Sequence, residues 1–135
     1  MAVTLSRSSR QDTFTANCPS GALVGDMVYI SGDQIGGFYQ VGLCDIREDN
    51  KRTVGMIVEK QSPTQCTVQK SGDVTNLYSG LTPGRQIFLG LGTGARLTQI
   101  VPNYSPKVYI ERAGIALASN VIDLHIEPAT VRVST

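Results

Sequence analysis

Glycine and proline interrupt this chain so often that no long helical period can develop. There are 14 Gly and 6 Pro, while Val (13), Ile (10) and Thr (12) together supply 35 residues. Branching at Cβ stiffens a side chain and suits it to a pleated, half-buried surface. The clearest strands are Met27 to Ser31, Val54 to Lys60, Gln65 to Lys70, Gln86 to Leu89, Lys107 to Arg112, Ile115 to Ala118 and Val121 to Glu127. Less regular candidates are Thr13 to Asn17, Phe38 to Leu43 and Val131 to Val133. Turn residues separate them at Gly32-Asp33, Gly36-Gly37, Ser62-Pro63, Ser71-Gly72, Pro83-Gly84 and Ser105-Pro106. Strand, turn, strand at short spacing predicts an all-β fold, an antiparallel sandwich or barrel of jelly-roll-like form.

Alternation is plainest in Val121 to Glu127, where Ile122, Leu124 and Ile126 point one way and Asp123, His125 and Glu127 the other. One face is core, and the opposite face meets solvent or a partner.

The chain also resembles itself. Gly25-Asp26-Met27-Val28-Tyr29-Ile30 aligns with Gly84-Arg85-Gln86-Ile87-Phe88-Leu89, 59 positions further on, and Gly55-Met56-Ile57-Val58 falls on Gly114-Ile115-Ala116-Leu117 at that same offset of 59. Each half continues into an alternating strand, Cys66 to Gln69 in the first and Leu124 to Glu127 in the second. An internal duplication would place two similar β-units around a shared core. Gly25 and Gly84 are then expected at turns needing positive φ, and Gly55 and Gly114 at bulges or close backbone approaches.

A length of 135 residues fits one domain, 1–135, able to bury roughly two-thirds of the surface its unfolded chain exposes. Residues 1–12 and 128–135 read as possible amino- and carboxy-terminal arms that order on a partner. A frayed terminus and an edge strand are the alternative for each.

Charged residues are only 17% of the chain and the net charge is +1, so no global field draws it to nucleic acid or an anionic membrane. No apolar run approaches the ~20 residues of a membrane span, and Met1 to Asn17 lacks the apolar core of a signal peptide. Cys18, Cys44 and Cys66 are odd in number and lack metal-ligand spacing, which suits reduced thiols made in the cytosol. Cys44 and Cys66 read as small buried hydrophobes, and Cys18, beside Pro19, as the thiol to test for reactivity.

Candidate chemistry is sparse. His125 is the only histidine, so imidazole metal clusters and His-dependent triads are limited to one member, and its strand places it on a polar surface. Gly90 to Ala95 satisfies the letters of a dinucleotide fingerprint, with Glu111 at a distance suited to a ribose, but the segment leads into Pro102 and Pro106 rather than a helix. It reads as a glycine-rich turn. Asp45, Arg47, Glu48, Asp49, Lys51 and Arg52 read as a solvated loop of compensating charges, and the dispersed aromatics as core.

The order Gly25 to Ile30, Val54 to Val58, Leu81-Thr82-Pro83-Gly84-Arg85-Gln86-Ile87-Phe88-Leu89 and Ala113 to Ala116 resembles small β-rich virion proteins of tailed bacteriophages, over roughly Gly21 to Glu127. The likeness is above all to head decoration or cement proteins, which sit on an icosahedral shell and staple neighbouring major capsid subunits. A similar pattern occurs in tail-fibre and tail-tip modules. The resemblance implies a jelly-roll or related barrel, acting as a homodimer or homotrimer on the capsid surface after synthesis in the host cytoplasm. The implied partners are the major capsid protein and further copies of the chain, with no cofactor, no metal, no catalysis, no membrane and no direct nucleic acid. No site residue carries over, because no matched motif has a chemical role. Candidate interface residues are Leu5, Arg7 and Arg10 in the first arm and Val131, Arg132 and Val133 in the second. Two other functions stay open, a tail-fibre or tail-tip module and a small barrel that binds or transforms a ligand in its interior.

Overall fold

The structure, a computed structural model, describes residues 12–48, 51–90, 96–105 and 107–133. The described residues form strands and turns without a helix. Strands β1 (Asp12–Asn17), β2 (Met27–Ile35), β3 (Phe38–Leu43), β4 (Gly55–Ser62) and β5 (Gln65–Thr75) follow one another in the order β1-β3-β2-β4-β5, and β1 also pairs with β5. This closes a five-stranded barrel. β1 makes the closure by running parallel to β3 and antiparallel to β5. Closure leaves no free sheet edge. Ala16, Val28, Val41, Ile57, Cys66 and Val68 fill its interior.

β5 does not stop where the barrel does. Gln65 to Ser71 pair with β1 and β4, whereas Ser71 to Thr75 pair with β10 (Val121–His125). The strand changes neighbours at Gly72, whose φ of 98° lets the backbone bend there. The sheet then continues through β9 (Arg112–Ala118) and β6 (Gln86–Leu89) to β7 (Leu97–Thr98). β8 (Lys107–Ile110) and β11 (Thr130–Val133) form a separate antiparallel pair.

The internal repeat is a repeat of structure. In the first unit the Gly25 N–H donates to Ile57 O (2.7 Å) and the Ile57 N–H to Asp26 O (2.9 Å). In the second, 59 positions on, the Gly84 N–H donates to Ala116 O (2.7 Å) and the Ala116 N–H to Arg85 O (3.1 Å). Met27 and Val28 pair with Met56 and Gly55, as Gln86 and Ile87 pair with Ile115 and Gly114. Gly25 and Gly84 both have positive φ, 96° and 83°. At Gly55 a Cβ would lie 2.5 Å from Gln69 O, and at Gly114 1.9 Å from Asp123 O, so both glycines mark the same close backbone approach.

The third strand of the repeat departs from the sequence alignment. Met56 pairs with Gln69 and Ile115 with Asp123, so Gln69 corresponds to Asp123 rather than to a residue of Leu124–Glu127. The reason is the shorter arms of the second hairpin: two residues separate the strands in both, but Met56 and Gln69 are 13 positions apart and Ile115 and Asp123 only 8. The part that β1 plays in the first unit falls in the second to the end of β5: Phe14 faces Val68 as Val74 faces Ile122. The second unit stays open, because this stretch does not pair with β7 as β1 pairs with β3.

Its open side is filled by the first unit. Met27 and Met56 point out of the barrel and pack with Ile87, Leu89, Leu97, Ala116, Ile122 and Leu124 in the larger core. Full burial of such a side chain stabilises by roughly 1.5–3 kcal/mol.

Two expected turns are strand. Gly32-Asp33 lies inside β2, which runs to Ile35 with register shifts on either side of Gly32, and the reversal comes at Gly36-Gly37 (φ 62° and 84°). Ser71-Gly72 is the bend inside β5. The expected strand Lys107–Arg112 divides at Glu111, and the short β7 has no counterpart among the expected strands.

Candidate protein-binding surfaces

Beyond Ile30 the β2–β3 hairpin leaves the barrel. Every residue from Ser31 to Tyr39 is exposed, and this stretch of β2 pairs only with β3. A two-stranded ribbon without a covered face gains nothing from apolar side chains, yet this one carries Ile35 and Phe38, with Ile35 65% exposed, and Ile30 and Tyr39 are exposed at its foot. Tyr39 stands edge-on to Phe14 at 5.2 Å. Phe14, Ile30, Tyr39 and Val54 line a groove of about 270 Å3 at the foot of the ribbon, rimmed by Asp12 and Lys70. The dispersed aromatics, expected in the core, include Phe38 and Tyr39, and both are exposed: Phe38 because the ribbon projects from the barrel, Tyr39 at its foot, where β3 begins to pair with β1 at Ala16. Tyr104 is exposed as well.

Of the interface candidates, Leu5, Arg7 and Arg10 lie outside the described residues. Val131, Arg132 and Val133 are on β11, which pairs with β8 of the same chain, so Thr130–Val133 is docked rather than free. All three are exposed, and Arg132 also donates to Pro102 O at 3.3 Å. The valines and the ribbon are not brought together into one site by any described contact.

His125 is exposed at the end of β10, beside Asp123 and Glu127, as alternation predicts. Arg112 lies across the same outer face, its Nε donating to Gln86 Oε1 at 3.2 Å. Among the described residues, no group of three His, Cys, Asp or Glu side chains converges as a metal site would require.

Other charged residues hold the fold together. The stretch from Asp45 is solvated at Arg47, Glu48 and Arg52, and Lys51 pairs with Glu48 at 2.8 Å as compensating charges should, whereas Asp49 lies outside the described residues. Asp45 is the exception: it is buried and its carboxylate accepts from Arg47 Nε (2.8 Å) and Nη2 (2.7 Å), while Ile46 enters the larger core. Those Arg47 hydrogen bonds hold the Asp45 carboxyl below the usual carboxylate range despite burial. Depression in the folded state means stability that is present above the unfolded pKa and lost as pH falls through the lowered folded value. Asp45→Asn is therefore expected to unfold at lower denaturant than wild type near neutrality, with the gap closing in acid. Urea titrations across that range check it.

Glu111, the residue at fingerprint distance from Gly90–Ala95, is buried and accepts from Thr53 N (3.3 Å) and Thr53 Oγ1 (2.6 Å). Residues 91–95 lie outside the described residues, and Arg96 leads into strand β7 rather than a helix. Burial pushes the Cys44 thiol up to about 12, against a hydrogen bond with Thr53, and the Cys66 thiol up to about 12, with Cys18 beside it adding to the shift. Cys18, the thiol to test for reactivity, lies in the loop after β1 beside Pro19, but is buried in the barrel core.

The chain matches no known family model, no curated protein and no solved structure.

Proposed function

We propose that this chain is a structural protein of a tailed-phage virion that binds the outside of the capsid and cements neighbouring major capsid subunits, acting by contact and not by catalysis. The observation that supports this reading is the projecting ribbon with Ile35 and Phe38 on its surface and Tyr39 exposed at its foot. Aromatic and aliphatic anchors of this kind carry most of the energy at protein interfaces, and a hairpin can also lend its edge to a neighbour's sheet. With charged residues at 17%, the surface fits a partner chosen by shape rather than by field. A contact of modest area suffices on an icosahedral shell, where simultaneous engagement of several subunits multiplies weak affinities.

Co-sedimentation of the purified protein with heads that lack it tests the reading. Ordered density at capsid symmetry positions is the expected result; no binding to heads, or density on the tail, would overturn it. The double variant Ile35→Asp, Phe38→Asp is expected to keep its circular dichroism and lose at least about tenfold in head affinity, since truncated anchors typically cost more than 1 kcal/mol each. Unchanged binding would remove the ribbon from the contact.

A further inference from the structure

The repeat compares one surface in two states within a single chain. In the first unit the outer face is made by Met27, Met56 and Gln69, all buried: the methionines pack with the second unit, and the Gln69 amide donates to Ser71 O and Asp73 O of its own strand. The corresponding positions of the second unit are Gln86, Ile115 and Asp123, with Leu117 in place of Val58. Here the two aliphatic positions are not covered by any of the described residues: Ile115 is 36% and Leu117 41% exposed. Two aliphatic residues remain at the centre of the face, and polar residues surround them. An apolar centre with a polar rim is how a face is built that stays soluble alone and still associates.

We infer that this outer face of β6, β9 and β10 is where two copies of the chain meet about a two-fold axis parallel to β9. The choice of a second copy rests on how the polar groups are sorted. Donors lie over β6, where Arg112 bonds Gln86 and its guanidinium sits 5.9 Å from the Phe88 ring centre. Carboxylates lie along β10 and just beyond it, at Asp123 and Glu127. Rotation about an axis along β9 exchanges the two sides. Each Arg112 then faces the other copy's Glu127, each Gln86 faces the other's Asp123, and Ile115 and Leu117 meet their own counterparts. A self-complementary patch is what an isologous contact requires.

The size of the face sets the strength. β9 has 7 residues, so at about 3.3 Å per residue and about 4.8 Å between strands the three-strand face measures about 23 by 14 Å. That is smaller than the roughly 800 Å2 each partner contributes to a standard interface. The dimer is reversible and forms as concentration rises. This inference does not depend on the capsid reading, and its test contains no capsid.

Sedimentation velocity of the full chain from about 10 µM to about 1 mM should show a monomer passing to a dimer. Leu117→Lys should weaken the dimer by about tenfold or more while leaving circular dichroism unchanged. Arg112→Glu and Glu127→Arg should each weaken it, and the double reversal should recover it. A chain that stays monomeric throughout, a trimer, a dimer indifferent to Leu117→Lys, or a double reversal that recovers nothing would each overturn the inference. Should Arg112→Glu fail to fold, Leu117→Lys decides alone.

Discussion

Gly114→Ala is expected to prevent the native fold. The residue has a φ of 143°, a conformation L side chains rarely adopt, and its Cβ would sit 1.9 Å from Asp123 O on the neighbouring strand. The obstacle is backbone, which cannot turn aside as a side chain can. Relief means parting β9 from β10, and with them the packing of Ala116, Ile122 and Leu124. A loss above about 4 kcal/mol is expected, a large part of the 5–15 kcal/mol a domain typically has. Soluble yield and tyrosine near-ultraviolet circular dichroism measure it. Gly55→Ala meets the same carbonyl position of the first unit at 2.5 Å and should also be severe, whereas Gly21→Ala has nothing within 4 Å and should shift stability by no more than about 0.5 kcal/mol. A wild-type-like Gly114→Ala would mean that the close approach does not exist.

Tyr78→Phe is expected to loosen the two units from one another. The Tyr78 hydroxyl accepts from the Leu97 N–H at 3.1 Å and donates to Gly25 O at 2.7 Å, so one oxygen ties β7 of the second unit to the turn before β2 in the first. Arg96 lies over the same ring at 4.9 Å and reaches Asp26 Oδ1 at 3.3 Å. Losing the hydroxyl leaves a donor and an acceptor of the backbone without it, each unsatisfied group costing about 1–3 kcal/mol. The expected total of about 2–4 kcal/mol would lower the melting temperature by roughly 5–15 °C in a chain of this size. Hydrogen exchange should locate the loss at Leu97 and around Gly25. A melting temperature within about 2 °C of wild type would show that water or Arg96 takes over both bonds.

Most of the strands were legible because their signal is local. Gln86–Leu89 and Phe38–Leu43 have the expected bounds, and Val121–His125 turns Ile122 and Leu124 inward as alternation requires. The glycine pairs were legible for the same reason: positive φ and close approach admit few other residues. The departures have separate causes. Gly32-Asp33 looks like a turn, but in a solvated, twisted ribbon turn residues cost little and the strand runs through them. Asp45 looks like solvent-exposed charge, but Arg47 neutralises it and Ile46 draws the loop inward. The candidate surfaces were scarcely legible, since an exposed Ile35 or Leu117 has the same letter as a buried one.

The sequence by itself determined the all-β class, the alternation within each strand and the two-unit repeat with its four glycines. Period-two backbone geometry and steric limits at φ act within a few residues, so a few residues record them. The tertiary structure alone decided that the first unit closes while the second stays open, because β1 is a separate strand free to reach β3 and its counterpart is the end of β5, held in a continuous strand. It also decided that Met27 and Met56 are buried while Ile115 and Leu117 are not, and that the ribbon projects. Which face is covered depends on contacts between segments some 59 positions apart, and no local pattern carries that.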